Sequence, residues 1–253
     1  MTTLADRPAT QRPARRSVVA RRLPWWVEAL LAVVGYEIYG VIQGATDGER
    51  AEAVRHGWGI IHLEQRLHVW VEPSINGWLA PHHLLAMVSD YYYELSHAFV
   101  TAAVLVWLWR RHPHVYARWR NTLLGLSLAA LAVFWAYPVA PPRLTDPSLT
   151  DLLVKYDALG AAHAPSGLID LYAALPSLHV AWALWCGLAV VAAGRTRKRW
   201  LALAYPATTT MVVLTTANHY VVDALAGAAL TLAAIGVGRL ARRRGLRAAS
   251  ALD

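Results

Sequence analysis

The stretch from Ser177 to Ala193, SLHVAWALWCGLAVVAA, carries no formally charged side chain and runs straight into Gly194 and the basic cluster Arg195 to Arg199. An apolar run of that length, opened by Pro176 and closed by glycine, predicts a helix close to the roughly 20 residues that cross a hydrocarbon core. Five further stretches read the same way: about Trp25 to Gln43, Leu84 to Trp109, Thr122 to Ala140, Trp200 to Thr216 and His219 to Val237. They are continuous and do not alternate apolar with polar residues as barrel strands do. Lipid leaves no backbone polar group unpaired, so the expectation is an all-α polytopic membrane protein with six transmembrane helices in one bundle. Trp25, Trp26, Trp107, Trp109 and Trp200 stand at the ends of these stretches, where indole rings prefer the membrane interface.

Composition agrees. The 253 residues are 57% hydrophobic and 16% charged, with a mean hydropathy of +0.33, against about 25% charged residues in soluble domains. This composition argues against a free soluble enzyme. With Cys186 as the single cysteine, no intramolecular disulfide and no cysteine-based metal cluster can form.

The net charge of +8 and pI near 9.9 would suit a nucleic-acid binder, but the placement of the charges says otherwise. Nineteen of the 24 Lys and Arg residues lie before Trp25, in Arg110 to Arg120, in Arg195 to Arg199, and from Arg239 onward. The other five, Arg50, Arg55, Arg66, Arg143 and Lys155, share the alternate loops with nine of the sixteen acids. By the positive-inside rule both termini are cytoplasmic, and the loops 44–83, 140–176 and 217–218 face outward across the plasma membrane. The basic runs are thus topology signals, and no nucleic-acid partner is expected. Residues 1–24 read as a basic, disordered cytoplasmic tail on the anionic inner leaflet, 25–238 as the membrane domain, and 239–253 as a second basic cytoplasmic tail. The first tail resembles the positive region of a signal peptide, but Glu28 and Glu37 in the long run that follows favour an uncleaved span.

In the first outer loop Ile60, Leu63, Leu67 and Trp70 recur at helical spacing beside Glu64, Gln65 and Arg66, which predicts an interfacial amphipathic helix. His56, His62, His68, His82 and His83 gather in the same region but form no i, i+4 pair. They read as solvated or interfacial side chains, and no metal site is assigned.

Three segments hold polar groups that a purely structural bundle would not need. Pro138-Val-Ala-Pro-Pro-Arg143 ends the third stretch and delivers Arg143 to the outer surface. Leu175-Pro-Ser-Leu-His179 opens the fourth, placing first-turn amides, the Ser177 hydroxyl and His179 around the positive end of a helix dipole, a ready anion site. Asn218-His-Tyr-Val-Val-Asp223 opens the sixth, with His219 and Asp223 at i and i+4. The charge-derived topology sets all three at one outer depth. An arginine, a serine at a helix N-terminus, two histidines and an aspartate form a phosphate site with its own acid and base.

The order PPR, PSLH, then H-x-x-x-D followed by Gly227 resembles the type 2 phosphatidic acid phosphatase superfamily. More narrowly, it is similar to the branch that contains inositol phosphorylceramide synthases and related bacterial proteins, over about Trp25 to Gly238. The resemblance implies a six-helix bundle with an outward active site. It also implies the roles: His219 as nucleophile, Asp223 as its orienting partner, His179 as general acid, and Arg143 with Ser177 as phosphate ligands. A phosphohistidine would form on His219 and be resolved by water or an acceptor alcohol, with no metal and no cofactor. The chain departs from the family where an arginine usually stands six residues before the catalytic histidine: here that position is Val213. The usual lysine and second arginine ahead of the first motif are also missing, leaving Thr215, Thr216, Asn218 and Lys155 as candidate substitutes. Tyr93 and His97 match a Tyr-x-x-x-His element of the synthase-like branch, either in support of the site or in structural hydrogen bonding.

The function expected is a lipid phosphatase or phosphotransferase whose partners are a lipid phosphoester (phospholipid or polyprenyl phosphate), surrounding membrane lipids and, for transfer, a polyol acceptor. Asp146, Asp151, Asp157, His163 and Asp170 in the loop 144–174 are either solvated or read acceptor hydroxyls. From another class, a transporter or lipid-binding protein would use the same buried charges, but no inverted repeat is visible.

Overall fold

A computed structural model describes residues 24, 26–28, 50–156 and 172–250, the side chains of 245–250 excepted. The helices are α1 (Arg50–Arg66), α2 (Glu72–Leu79), α3 (His83–Arg111), α4 (Pro113–Ala136), α5 (Pro142–Thr145), α6 (Leu152–Tyr156), α7 (Leu178–Ala193), α8 (Ala204–Thr215) and α9 (Val221–Ser250). Among the described residues there is no strand, only an isolated parallel bridge between Val139 and Ala173. The fold is all-helical, as the sequence predicts.

The decisive apolar stretch becomes the central helix. Ser177 caps α7 by accepting the Val180 N–H on Oγ, and Gly194 ends it. α7 packs against α3, α4, α8 and α9, with Trp185, Ala181 and Ala189 fully enclosed beside Leu108 and Leu126. Burying an indole requires a partner for its N–H, and Trp185 Nε1 donates to the Trp119 carbonyl at 3.0 Å.

Helix boundaries depart from the apolar stretches in informative ways. The fifth stretch opens as a 3-10 turn, Arg197–Leu203, and only Ala204–Thr215 is α-helical. At 1.5 Å per residue that helix is about 18 Å long, well short of a hydrocarbon core. α3 includes Asp90, Glu94, Arg110 and Arg111, and α4 includes Arg118 and Arg120. Among the described helices, Val221–Arg244 is the one segment long and apolar enough to cross a membrane, and Leu178–Ala193 is a shorter apolar helix. The first stretch lies mostly outside the described residues. At its start Glu28 pairs with Arg120 at 2.6 Å.

Charge does segregate along the bundle. Arg118 faces Arg239 and Arg242, and His112 faces Arg195, so the basic segments meet at one end. At the other end α1, α2, α5 and α6 form a cap: α1 packs on α5, α2 on α8, and α6 on α3. Between the ends the long helices turn large apolar side chains outward, among them Phe99, Leu128, Trp135, Met211, Leu225 and Leu232.

The outer amphipathic reading needs correction. The buried face of α1 is Ala53, Gly57, Ile60, Ile61 and Glu64, whereas Leu63 and Leu67 are 45% and 58% exposed. Gly57 selects that face. A Cβ there would collide with the Thr145 side chain and come within 2.8 Å of the Tyr220 hydroxyl and 3.0 Å of the Ala140 carbonyl.

Candidate active site

The three polar segments converge at the capped end. After α4 the chain runs beside residues 172–174, with the Val139 N–H donating to Tyr172 O at 2.8 Å and the Ala174 N–H donating to Val139 O at 3.1 Å. Pro141 and Pro142 then start α5 and carry Arg143 inward. The Arg143 amide donates to Ala217 O at 3.0 Å, and its Nε donates to Asn218 Oδ1 at 2.8 Å. The first and third segments are thereby joined. The Ser177 amide donates to the Asp223 carbonyl at 3.1 Å and joins the second to the third. Gly227 permits this: a Cβ at that position would run into the Ser177 carbonyl.

His219 lies two residues before α9 begins, not on the helix as its spacing suggests. Asp223 sits in the first turn and accepts the Tyr220 N–H at 3.0 Å, as the acid of a capping box does. His219 Nδ1 contacts the Ala174 carbonyl at 2.9 Å, nearer than Asp223 Oδ2 at 3.5 Å. A carbonyl only accepts, so Nδ1 carries the proton and the neutral ring keeps a lone pair on Nε2. That Nε2 faces His179 Nδ1 at 3.4 Å.

His179 is gripped by rings from α3. Tyr93 stacks on it with centroids 4.3 Å apart, and His97 meets it edge-on at 4.6 Å. His97 in turn donates from Nδ1 to the Tyr93 carbonyl at 3.2 Å. Both residues of the Tyr-x-x-x-His element therefore touch His179.

Other expectations fare differently. Ser177 is fully buried and its oxygen is engaged by the Val180 amide at 3.3 Å, so it builds the turn. Pro176 precedes that cap and is not in the first turn. Thr215 and Thr216 spend their hydroxyls on carbonyls of their own helix, Met211 and Val212. Asn218 donates to Thr216 Oγ1 at 2.8 Å while holding Arg143. Lys155 donates to Ala80 O at 2.9 Å. None of these four replaces the arginine for which Val213 stands. Val213 itself is fully buried in an apolar cluster with Val180 and Ala224. Asp146 accepts the Ser148 N–H, and Asp157, His163 and Asp170 lie outside the described residues.

Several partners were not foreseen. Asp151 forms an ion pair with Arg143 Nη1 at 2.7 Å. Asn76 on α2 is buried and bonds Thr215 O at 3.1 Å and Thr150 O at 3.2 Å, tying the cap to the end of α8. Glu64 and Glu72 accept the first two amides of α9, Val222 N–H at 2.7 Å and Val221 N–H at 2.9 Å. Of these, Asp151 is expected from the sequence only as a solvated or hydroxyl-reading acid, not as the partner of Arg143, and Glu64 is visible as the acid four residues after Ile60 and seven after Gly57. His56 stacks on Tyr137 and bonds the Pro138 carbonyl at 2.8 Å. Among the described residues no group of three or more His, Cys, Asp or Glu side chains is disposed to hold a metal ion.

A family model described as the PAP2 superfamily matches residues 58–237, which take in α2 to α8, Arg143, both histidine segments and most of the cap. The match covers well over half of the chain, and the protein belongs to the PAP2 superfamily. Members of that superfamily are typically phosphatases, so membership supports a phosphatase-type enzyme in general and points to phosphatase or phosphotransferase activity on phosphoesters. No curated protein and no solved structure matches it.

Proposed function

We propose that the protein is a membrane-embedded lipid phosphatase or phosphotransferase that works through a phosphohistidine on His219, in the manner of the inositol phosphorylceramide synthase branch. The observation that carries this reading is the histidine pair. His219 presents the unprotonated Nε2 of a fixed tautomer to His179 Nδ1 at 3.4 Å, and Arg143 is held by Asn218, the residue before His219.

In this reading Nε2 attacks phosphorus as the bond to the lipid alkoxide breaks, and His179 gives that oxygen its proton. Water or an acceptor hydroxyl then attacks the phosphohistidine, with His179 taking the proton back. Arg143 and the first-turn amides of α7 balance charge on the non-bridging oxygens. A gap of 3.4 Å admits no phosphoryl group, so one ring turns aside when substrate binds. His179, held by ring packing against Tyr93 and His97, yields more easily than His219, which the Ala174 carbonyl fixes.

A membrane setting is supported by the many large apolar side chains that the helices turn outward, Phe99, Leu128, Trp135, Leu225 and Leu232 among them. It is also supported by the basic residues gathered at the end away from the histidines. In this reading the six apolar stretches span the plasma membrane, with cytoplasmic termini and the histidine pair at the outer face. Partners are a phospholipid or polyprenyl phosphate and, for transfer, a polyol.

The test uses detergent-purified protein, a panel of phospholipids and polyprenyl phosphates, EDTA throughout, and arms with and without inositol or glycerol. Free phosphate identifies a hydrolase and new phospholipid a transferase. His219→Ala should reduce either by at least about 10⁴-fold. Undiminished turnover in that variant removes the mechanism, and lipid binding without turnover would favour a transporter or carrier.

A further inference from the structure

Two glutamates that the histidine chemistry does not use are completely enclosed: Glu64 near the end of α1 and Glu72 at the start of α2. Burying a carboxyl group is costly unless its oxygens are bonded. One oxygen of each is provided for, since Glu64 Oε1 and Glu72 Oε1 accept the Val222 and Val221 amides. The second oxygen of each, Oε2, is shut off from solvent and has no hydrogen-bond partner among the described residues. Because their Oε1 atoms sit on consecutive amides of α9, the two carboxyl groups are neighbours, and the charge of each bears on the other. Two ionised carboxylates repel and cannot bond, whereas a proton on one would let it donate to its neighbour and satisfy both buried oxygens.

We propose that Glu64 and Glu72 share one proton and act as a positioning pair, capping α9 so that His219 stays aimed at His179, and that loss of this proton as pH rises loosens the cap and switches the site off. The inference rests on His219 being the reacting group.

The surroundings favour holding the proton. From α9 the pair faces Asp223 and Tyr220. From α5, Arg143 is engaged by Asp151 and Asn218. α8 carries no charged residue, and Lys155 of α6 reaches Ala80 instead. On α1, Glu52 pairs with Arg55 and His56 at the far end, and Arg66 and His68 are exposed. Among the described residues, no cation forms an ion pair with either glutamate. Burial raises the affinity of Glu64 for its proton well above the ordinary carboxylate range, and the Glu72 and Asp223 charges add to it; burial raises Glu72 as well. The folded protein thus holds a proton that the unfolded chain releases. Stability from the pair is complete below the ordinary carboxylate pKa and is lost as pH rises through the raised folded value.

The amide of glutamine supplies the test, because it has one acceptor and one donor, like a protonated carboxyl. Glu64→Gln can accept Val222 N–H and donate to Glu72, and Glu72→Gln can do the converse. In the double variant two NH2 groups face each other. The measurements on purified protein are the thermal midpoint against pH, kcat and KM against pH for a phosphoester of the proposed panel that is turned over, and the infrared band of a protonated carboxyl at neutral pH.

Either single variant should keep at least about a third of neutral-pH kcat with KM unchanged, lose the alkaline decline in midpoint and kcat, and lose the infrared band. The double variant should lose about tenfold or more in kcat and several degrees in midpoint. A single variant that declines with pH as the parent does, or a double variant as stable as the singles, overturns the proposal. If no phosphoester is turned over, the proposed function fails by itself; the midpoint profile and the infrared band still decide on the shared proton.

Discussion

His219 Nδ1 stands 2.9 Å from the carbonyl oxygen of Ala174 and 3.5 Å from Asp223 Oδ2. The tautomer of the histidine is therefore set first by a backbone acceptor, on the strand-like segment that pairs with Val139, and only second by the aspartate. Where an aspartate alone sets the tautomer, replacing it with the amide costs on the order of 10⁴-fold in kcat. Here Asp223→Asn is expected to cost only about 10- to 100-fold, because the carbonyl still holds the proton on Nδ1. Asn also retains an oxygen for the Tyr220 N–H, so the capping bond survives. Steady-state kinetics of Asp223→Asn beside His219→Ala checks this, and equal losses in the two would return the dominant role to the carboxylate.

Arg143 is held on two sides, by Asn218 on Nε and by Asp151 on Nη1, and the Asp151 carboxylate competes with any phosphate for the same charge. Asp151→Asn removes the competing charge while leaving an oxygen to cap α6 through the Val154 amide. The variant should bind inorganic phosphate and vanadate several-fold more tightly as inhibitors and show a lower KM. Weaker inhibition would mean that the ion pair positions Arg143 more than it restrains it. Arg143→Lys should lose about 10²-fold or more in kcat/KM, since a single ammonium cannot meet Asn218 and phosphate together.

Much of this arrangement was legible from residue order. The apolar runs around Leu178 to Ala193 and Val221 to Val237 became α7 and α9, because a helix uniformly apolar over that length has no competing structure. Counting arginines by loop brought Arg143, Ser177, His179 and His219 to one end, and they do meet there. What escaped was of two kinds. The Ala174 carbonyl is a backbone group, and no side-chain pattern announces it. Glu64 was assigned to the polar side of its helix on the strength of Gln65 and Arg66 beside it, although Gly57, seven residues earlier, turned that face inward. A helix face is chosen by close approach as well as by hydrophobicity, and a buried acid at a neighbouring helix's N-terminus defeats a hydrophobic count.

Gly227 is where α9 comes closest to the start of α7, and an added methyl would strike the Ser177 carbonyl, which is backbone and cannot swing away. Gly227→Ala should therefore push the two helices apart at the point where Ser177 N–H bonds Asp223 O. Overpacking of this sort costs about 1–3 kcal/mol, and it would separate His179 from His219 at the same time. The expected result is a lower thermal midpoint together with a kcat loss larger than the fraction unfolded explains. A variant as stable and active as the parent would show that the junction can relax.

Tyr93 offers the last test, because its ring and its hydroxyl can be separated. The ring lies parallel to His179 at 4.3 Å with an interplanar angle of 23°, and such stacking fixes the plane of the imidazole while leaving its edge nitrogens accessible. If His179 must turn aside for the phosphoryl group and return to donate a proton, a face that slides without binding its nitrogens is what the motion requires. Tyr93→Phe keeps the face and should stay within about threefold of the parent in kcat, whereas Tyr93→Leu should lose about tenfold with little change in KM, as aromatic pairs contribute roughly 0.5–1.5 kcal/mol beyond their area. A Phe variant as impaired as the Leu variant would move the role from the ring to the hydroxyl, and with it the restraint on His179 from packing to hydrogen bonding.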